Sequence, residues 1–160
     1  IIGKKEIMQV AQETFISSTM WTDRLGFIAA KTTLKKLKQL KINRIISNYG
    51  NKIKKGWSKF AKKNNIKIVI SGQDSIPYLR FDYSNNLEIL TYFTQEMLKK
   101  GILASTNFYA STAHTEHEFE MYFNGLDEVF AKISKCESGD FQINELLEGP
   151  ICHSGFRRLN

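Results

Sequence analysis

The spacing of apolar positions changes along this chain, and each change marks a predicted element. Lys4 to Gln12 carries Ile7, Met8 and Val10 at helical intervals and predicts a short helix. Thr14 to Ser18 is rich in hydroxyls and reads as extended or irregular chain. A long helix is predicted from near Thr22, with Asp23 in its first turn, where the helix dipole favours an anion. Leu25, Ile28, Ala29, Thr32, Leu37 and Leu40 continue it. Gly50 and Gly56 should bend or interrupt the pattern, giving two helical segments that meet between Leu40 and Gly56.

From Ile66 the period falls to two. Ile66 to Ile70 is largely β-branched and stopped by Ser71-Gly72, and Tyr78 to Tyr83 alternates behind Pro77, so two strands are predicted in one small sheet. Helical spacing returns at Leu87, Leu90, Phe93 and Met97, with Ser84-Asn85-Asn86 ahead as a cap and Gly101 behind as a C′ residue. Ile102 to Ala104 is a candidate third strand. Thr115-Glu116-His117-Glu118 has the form of a capping box, and a stripe of Phe119, Tyr122, Phe123, Leu126, Val129, Phe130 and Ile133 follows it. A short helix near Ile143 to Leu147 precedes an irregular tail. The order of elements predicts an α+β packing.

Composition fits a globular chain: 42% hydrophobic residues, 11 Phe, 6 Tyr and 2 Trp against only 2 Pro. A chain of 160 residues is long enough for one core, and no apolar run approaches the roughly 18 residues of a membrane span. Cys136 and Cys152 read as reduced thiols, which places the protein in the cytoplasm. The absence of an initial Met, with the apolar pattern already under way at residue 1, reads as the C-terminal piece of something longer.

The net charge of +7 invites a nucleic-acid reading, because Lys31 to Lys67 holds 13 of the 23 cations and no Asp or Glu. Its cations alternate with Leu34, Leu37, Ile45, Ile53 and Trp57 at helical spacing, however, and include only one Arg, Arg44. This is the pattern of a solvated helix face, and no nucleic-acid partner is expected. His114 and His117, three apart with Glu118 beside them, could place two metal ligands on one turn, but a third ligand has no obvious source and no metal is expected. Neither Cys has a base in its neighbourhood, and no glycine-rich phosphate loop is present. Ser17-Ser18-Thr19 is different, because hydroxyls ahead of a helix N-terminus suit a phosphate.

Four blocks together resemble class III pyridoxal-phosphate-dependent aminotransferases, most closely the branch of glutamate-1-semialdehyde aminomutases. They are Gly3 to Met8, Ser18-Thr19, Met97 to Ser105, and Ser111 to Glu116. The resemblance implies a fold-type-I α/β architecture. Residues 1–39 would be the end of the large cofactor-binding domain and the start of a connecting helix, and residues 40–160 the small α+β C-terminal domain. It implies pyridoxal 5'-phosphate as cofactor and a homodimer in which Thr19, with Ser18 beside it, reaches the cofactor phosphate of the partner subunit. The sequence departs from the family after Thr19, where Met20-Trp21-Thr22-Asp23 stands in place of the commoner Ser-Gly-Asn-Pro. The Schiff-base lysine would lie upstream of Ile1, so the chain alone should be inactive and holds no catalytic residue. Relatives that accept two carboxylates often carry an Arg after the position of Leu103. Here Ala104-Ser105-Thr106 follows, which points to an aminomutase-type exchange between a small amino compound and a carbonyl acceptor. Arg80 is the remaining candidate for a substrate carboxylate.

The second reading, from another class, is a non-catalytic interaction domain that uses the Lys31–Lys67 face. The two differ in a simple measurement. Counterion release would make polyanion binding by that face fall steeply with salt, whereas a solvated face leaves no saturable polyanion binding at physiological ionic strength, which is the outcome expected in a heparin or oligonucleotide titration.

Overall fold

The computed structural model describes residues 3–15 and 23–155. The chain forms two compact units, Ile1–Leu40 and Lys41–Asn160.

In the first unit a single turn of helix, α1 (Lys5–Met8), runs into a 3₁₀ turn at Gln9–Gln12, and α2 spans Leu25–Gln39. The long helix thus starts at Leu25, three residues after the expected position. Asp23 stands ahead of it, before the N-cap residue Arg24, and its carboxylate accepts the Leu25 N–H at 2.9 Å from outside the first turn. No residue of α2 is buried, and Leu25, Phe27, Ile28 and Leu34 are all more than half exposed.

The second unit opens with α3 (Ile42–Lys63), continues through a hairpin of β1 (Ile68–Gln73) and β2 (Ile76–Phe81), and adds α4 (Asn86–Lys99) and α5 (Glu116–Glu137). A 3₁₀ turn at Ile143–Leu146 closes it. The strands pair antiparallel, Ile68 opposite Phe81 and Gln73 opposite Ile76. The core is built from one face of each element: Ile53 and Trp57 of α3, Leu79 and Phe81 of β2, Phe93 and Met97 of α4, and Leu126, Phe130 and Ile133 of α5. Trp57 is fully buried and donates its indole N–H to the Tyr122 hydroxyl at 2.7 Å, which ties α3 to α5 and satisfies both polar groups.

Two local expectations are corrected. The break between helical segments falls at Lys41, within the expected interval from Leu40 to Gly56 and with a φ of 50° that takes the chain through the left-handed region, but the glycines do not cause it, since Gly50 and Gly56 lie inside an unbroken α3. Their role is close approach. A Cβ on Gly50 would lie 1.5 Å from the Asp74 carbonyl oxygen in the hairpin turn, and one on Gly56 would lie 2.1 Å from the Phe123 ring. The third strand is also absent at Ile102 to Ala104. α4 ends instead in a Schellman turn, with Gly101 at φ 75° and the Ile102 N–H on the Met97 carbonyl at 3.0 Å, and this uses the local backbone groups. The hairpin edge is met a few residues later, where Leu79 donates to Thr106 and Phe108 donates to Pro77, at 2.7 and 3.1 Å. Only an isolated bridge, Tyr78 to Asn107, results.

The capping box forms as expected. Glu118 accepts the Thr115 N–H at 2.6 Å, and the Thr115 hydroxyl accepts the His117 N–H at 3.3 Å. After α5 the chain returns across α4. The Gln95 side chain donates to the Leu146 carbonyl and accepts the Glu148 N–H, at 2.9 and 2.8 Å, acting as a one-residue substitute for a strand edge. The Cys152 N–H is held by the Thr91 hydroxyl at 2.9 Å.

Gly50→Ala should destabilise the second unit by about 1–3 kcal/mol through overpacking against rigid backbone, although Ala is the better helix former by about 0.8–1 kcal/mol. Gly26→Ala in α2, where an added Cβ meets nothing within 4 Å, should cost nothing. Urea unfolding of both variants makes the comparison. Acid provides a second test. Asp127 is held below the usual carboxylate range by hydrogen bonds from Lys63 and Asn64. A depressed carboxylate supplies stability above its unfolded pKa of about 4 and loses it as the pH falls towards its folded value. The urea midpoint should therefore drop below about pH 4, and Asp127→Asn should flatten that drop.

Candidate functional site

The sequence-derived site residues are placed unequally. Ser18 and Thr19 lie outside the described residues. Arg80 is on β2, exposed, with its guanidinium 3.0 Å from the Asp82 carboxylate. It does not line the cavity described below.

That cavity, of about 290 Å³, lies in the second unit between the chain leaving α4 and the first two turns of α5. Its position follows from local sequence. The Schellman turn at Gly101 directs Ile102 to Ser105 away from the helix end, and Ile102 and Ala104 are buried while Leu103 is 90% exposed at the rim. The contact of Thr106 to Phe108 with β2 then turns the segment back. His114 rests against the Phe108 ring with centroids 5.2 Å apart, and its Nδ1 accepts the Ser111 N–H at 3.3 Å. The capping box fixes Glu118. Its Oε2 takes both the Thr115 N–H and the Thr115 hydroxyl, each at 2.6 Å, and these bonds hold its carboxyl below the usual range. Tyr122 forms the inner wall, and burial pushes its phenol far up. Tyr109 and Met121 complete the mouth.

The sequence pattern marks Glu118 as a cap and as a neighbour of a candidate metal-ligand pair, and Tyr122 only as part of a core stripe. Nothing in the spacing marks Leu103, Tyr109 or Met121, because their convergence depends on the path of the chain between α4 and α5.

The remaining candidates separate clearly. His117 is exposed, and among the described residues no three His, Cys, Asp or Glu side chains converge as metal ligands. Cys136 and Cys152 are both free and half-buried, and burial pushes the Cys136 thiol up, away from nucleophilic character. The basic stretch is partly committed to the fold. Lys52 pairs with Glu116, Lys54 with Asp74 at 3.0 Å and Lys63 with Asp127 at 2.5 Å, so three lysines of α3 serve as bridges to α5 and the hairpin. Among the described residues no helix is long and apolar enough to cross a membrane. None of the described lysines is buried within this chain.

No family model matches the chain. Among curated proteins it is similar to a 3-aminobutyryl-CoA aminotransferase of Cloacimonas acidaminovorans (strain Evry), with 22% identity over 141 residues that cover 84% of this chain and 34% of the relative. It is also similar to a glutamate-1-semialdehyde 2,1-aminomutase of Sulfurihydrogenibium sp. (strain YO3AOP1), 25% identical over 149 residues, covering 82% and 35%. The chain thus spans about a third of the length of the curated relatives it matches. Among solved structures, the PLP internal aldimine form of the Sphingopyxis sp. MTA144 FumI protein superposes with a TM-score of 0.78 at 17% identity, over 86% of this chain and 34% of that one. An omega-transaminase from Sphaerobacter thermophilus superposes at 0.72 and 13% identity, over 83% and 34%. The expected fold class and the family resemblance are both borne out: the chain has the fold of about one third of a pyridoxal-phosphate-dependent transaminase, and its sequence relatives are an aminotransferase and an aminomutase.

Proposed function

We propose that this chain is the C-terminal portion of a pyridoxal-phosphate-dependent aminotransferase or aminomutase that moves an amino group between an amino compound and a carbonyl acceptor. The observation that carries the proposal is the agreement of two similarities over most of the chain: sequence relatives over 84% and a transaminase fold over 86%. On this reading residues 1–39 end the large cofactor-binding domain and residues 40–160 form the small domain. The exposed apolar side chains of α2 support that division, since Leu25, Phe27, Ile28 and Leu34 are the kind of surface that a larger domain covers.

Pyridoxal phosphate, when bound, supplies an electron sink and a carrier for the amino group. None of the described lysines lines the cavity between α4 and α5 or is buried within this chain, so nothing here marks one of them for the covalent part of that role. The reading therefore assigns the Schiff-base lysine to the part of the relatives that this chain does not span, and the chain alone is inactive. The contribution of this segment is electrostatic and positional. In the assembled homodimer Thr19 would donate its hydroxyl to the phosphate of the partner subunit's cofactor, with Ser18, its neighbour in sequence, as the secondary candidate. Ala104-Ser105-Thr106, lacking a cation, leave the substrate side without a second carboxylate partner, as in an aminomutase-type exchange.

The 160-residue chain, purified as it stands, should show no transaminase activity with added cofactor. In the complete enzyme Thr19→Ala should weaken cofactor binding by about tenfold, the value of one hydrogen bond to a charged group, read as the cofactor concentration needed to restore the bound-cofactor absorbance. Unchanged cofactor affinity would remove Thr19 from the phosphate site, and a reading frame around this chain without an upstream lysine in a strand-turn context would remove the enzyme reading itself.

A further inference from the structure

The cavity between α4 and α5 has an unusual charge balance for a protein of net charge +7. Among the described residues no Lys or Arg lines it, and the one carboxylate in its wall is that of Glu118. Thr115 directs both of its hydrogen bonds to one oxygen of that carboxylate, Oε2, and the Glu118 N–H adds a further hydrogen bond to the group. The neighbouring wall is aromatic. Phe108 and Tyr122 meet edge to face at 5.9 Å, Phe108 and Phe119 lie 6.4 Å apart, and Tyr109 stands 69% exposed at the mouth. Leu103 and Met121 add apolar rim, 90% and 40% exposed. A volume of about 290 Å³ is at the lower end of what small-molecule sites enclose.

A fixed carboxylate oxygen among ring faces and aliphatic side chains suits one chemical group above others. An ammonium on a short carbon chain can donate to the carboxylate, sit against the negative faces of aromatic rings and bury its methylenes on the rim. A carboxylate would be repelled by Glu118, since Lys52, held on the Phe119 ring, is already paired with Glu116, and an uncharged alcohol could donate to the carboxylate but would lack the attraction between opposite charges. We infer that the cavity bounded by Leu103, Tyr109, Glu118, Met121 and Tyr122 is a binding site for the ammonium group of a small aliphatic amine. Assigning that amine to the amino-donor substrate, with this ammonium remote from the transferred group, rests on the aminotransferase reading. The binding itself does not.

The test is a calorimetric or NMR titration of the 160-residue chain with n-butylammonium, butan-1-ol and butyrate. Saturable binding of the ammonium is expected, with the alcohol and the acid at least about tenfold weaker. Glu118→Gln is the informative variant, because Gln retains the capping-box geometry while removing the charge. It should keep the far-UV circular dichroism of the parent and lose the preference for ammonium over alcohol. Met121→Lys, outside the cap, places a cation at the rim and should abolish ammonium binding, which keeps the test decisive if the Glu118 variant folds poorly. Equal affinity for the alcohol, an unchanged preference in Glu118→Gln, or no saturable binding would overturn the site while leaving the aminotransferase reading intact. Ammonium binding in a complete enzyme that transfers no amino group would do the reverse.

Discussion

The second unit depends on how closely α3 lies against its neighbours. At Gly50 the helix meets the backbone of the hairpin turn, and at Gly56 it meets the ring of Phe123, both at distances that leave no room for a methyl group. These two contacts set where Trp57 falls. It follows Gly56 directly and lies one turn after Ile53; both side chains are wholly buried, and the indole N–H reaches Tyr122. A buried indole without an acceptor would incur the desolvation cost of an unmade hydrogen bond, so α3 and α5 are held in register as well as in contact. The ion pairs of Lys52 and Lys63 with α5 join the same two helices, and Lys54 reaches the hairpin turn that Gly50 admits.

That dependence explains which parts of the fold are legible in the sequence. The capping box and the stripe from Phe119 to Ile133 are readable because both are consequences of helical spacing within one segment. The hairpin is readable from the change in period at Ile66. Gly50 and Gly56 mislead because a glycine in a helical pattern has the same local signature whether it breaks the helix or admits a neighbour. Only the tertiary partner, here Asp74 or Phe123, distinguishes the two. Ile102 to Ala104 misleads for a related reason. Its β-branched and small residues are compatible with a strand, but the Schellman turn takes the Ile102 N–H, and the hairpin edge is met instead by Thr106 and Phe108.

The candidate site follows the same division. Glu118 is found through its cap, and the cap is also what orients its carboxylate beside the cavity. Tyr122 is found through its stripe, and the same packing that buries its ring places one side of it on the cavity wall. Leu103, Tyr109 and Met121 are invisible in the sequence because the chain from Gly101 to His114, together with the start of α5, brings them together without any shared periodic pattern. Arg80, singled out by chemistry alone, is on the sheet surface with Asp82 as its partner, where an alternating strand would ordinarily place a charged residue.

The two units also differ in what they need from elsewhere. In the second unit the apolar faces of all three helices and of the hairpin meet in one cluster, and among the described residues no buried side-chain polar atom lacks a partner. Such a unit has the ingredients of an independent core. The first unit has helical spacing without burial: α2 carries leucine, phenylalanine and isoleucine but buries none of them fully. Since tertiary packing of an apolar face, rather than intrinsic propensity, supplies most of a helix's stability in a protein, α2 requires a covering surface in a way that α3, α4 and α5 do not. That asymmetry is what a chain spanning a third of its relatives' length would show if its larger unit were a domain and its smaller unit the edge of another.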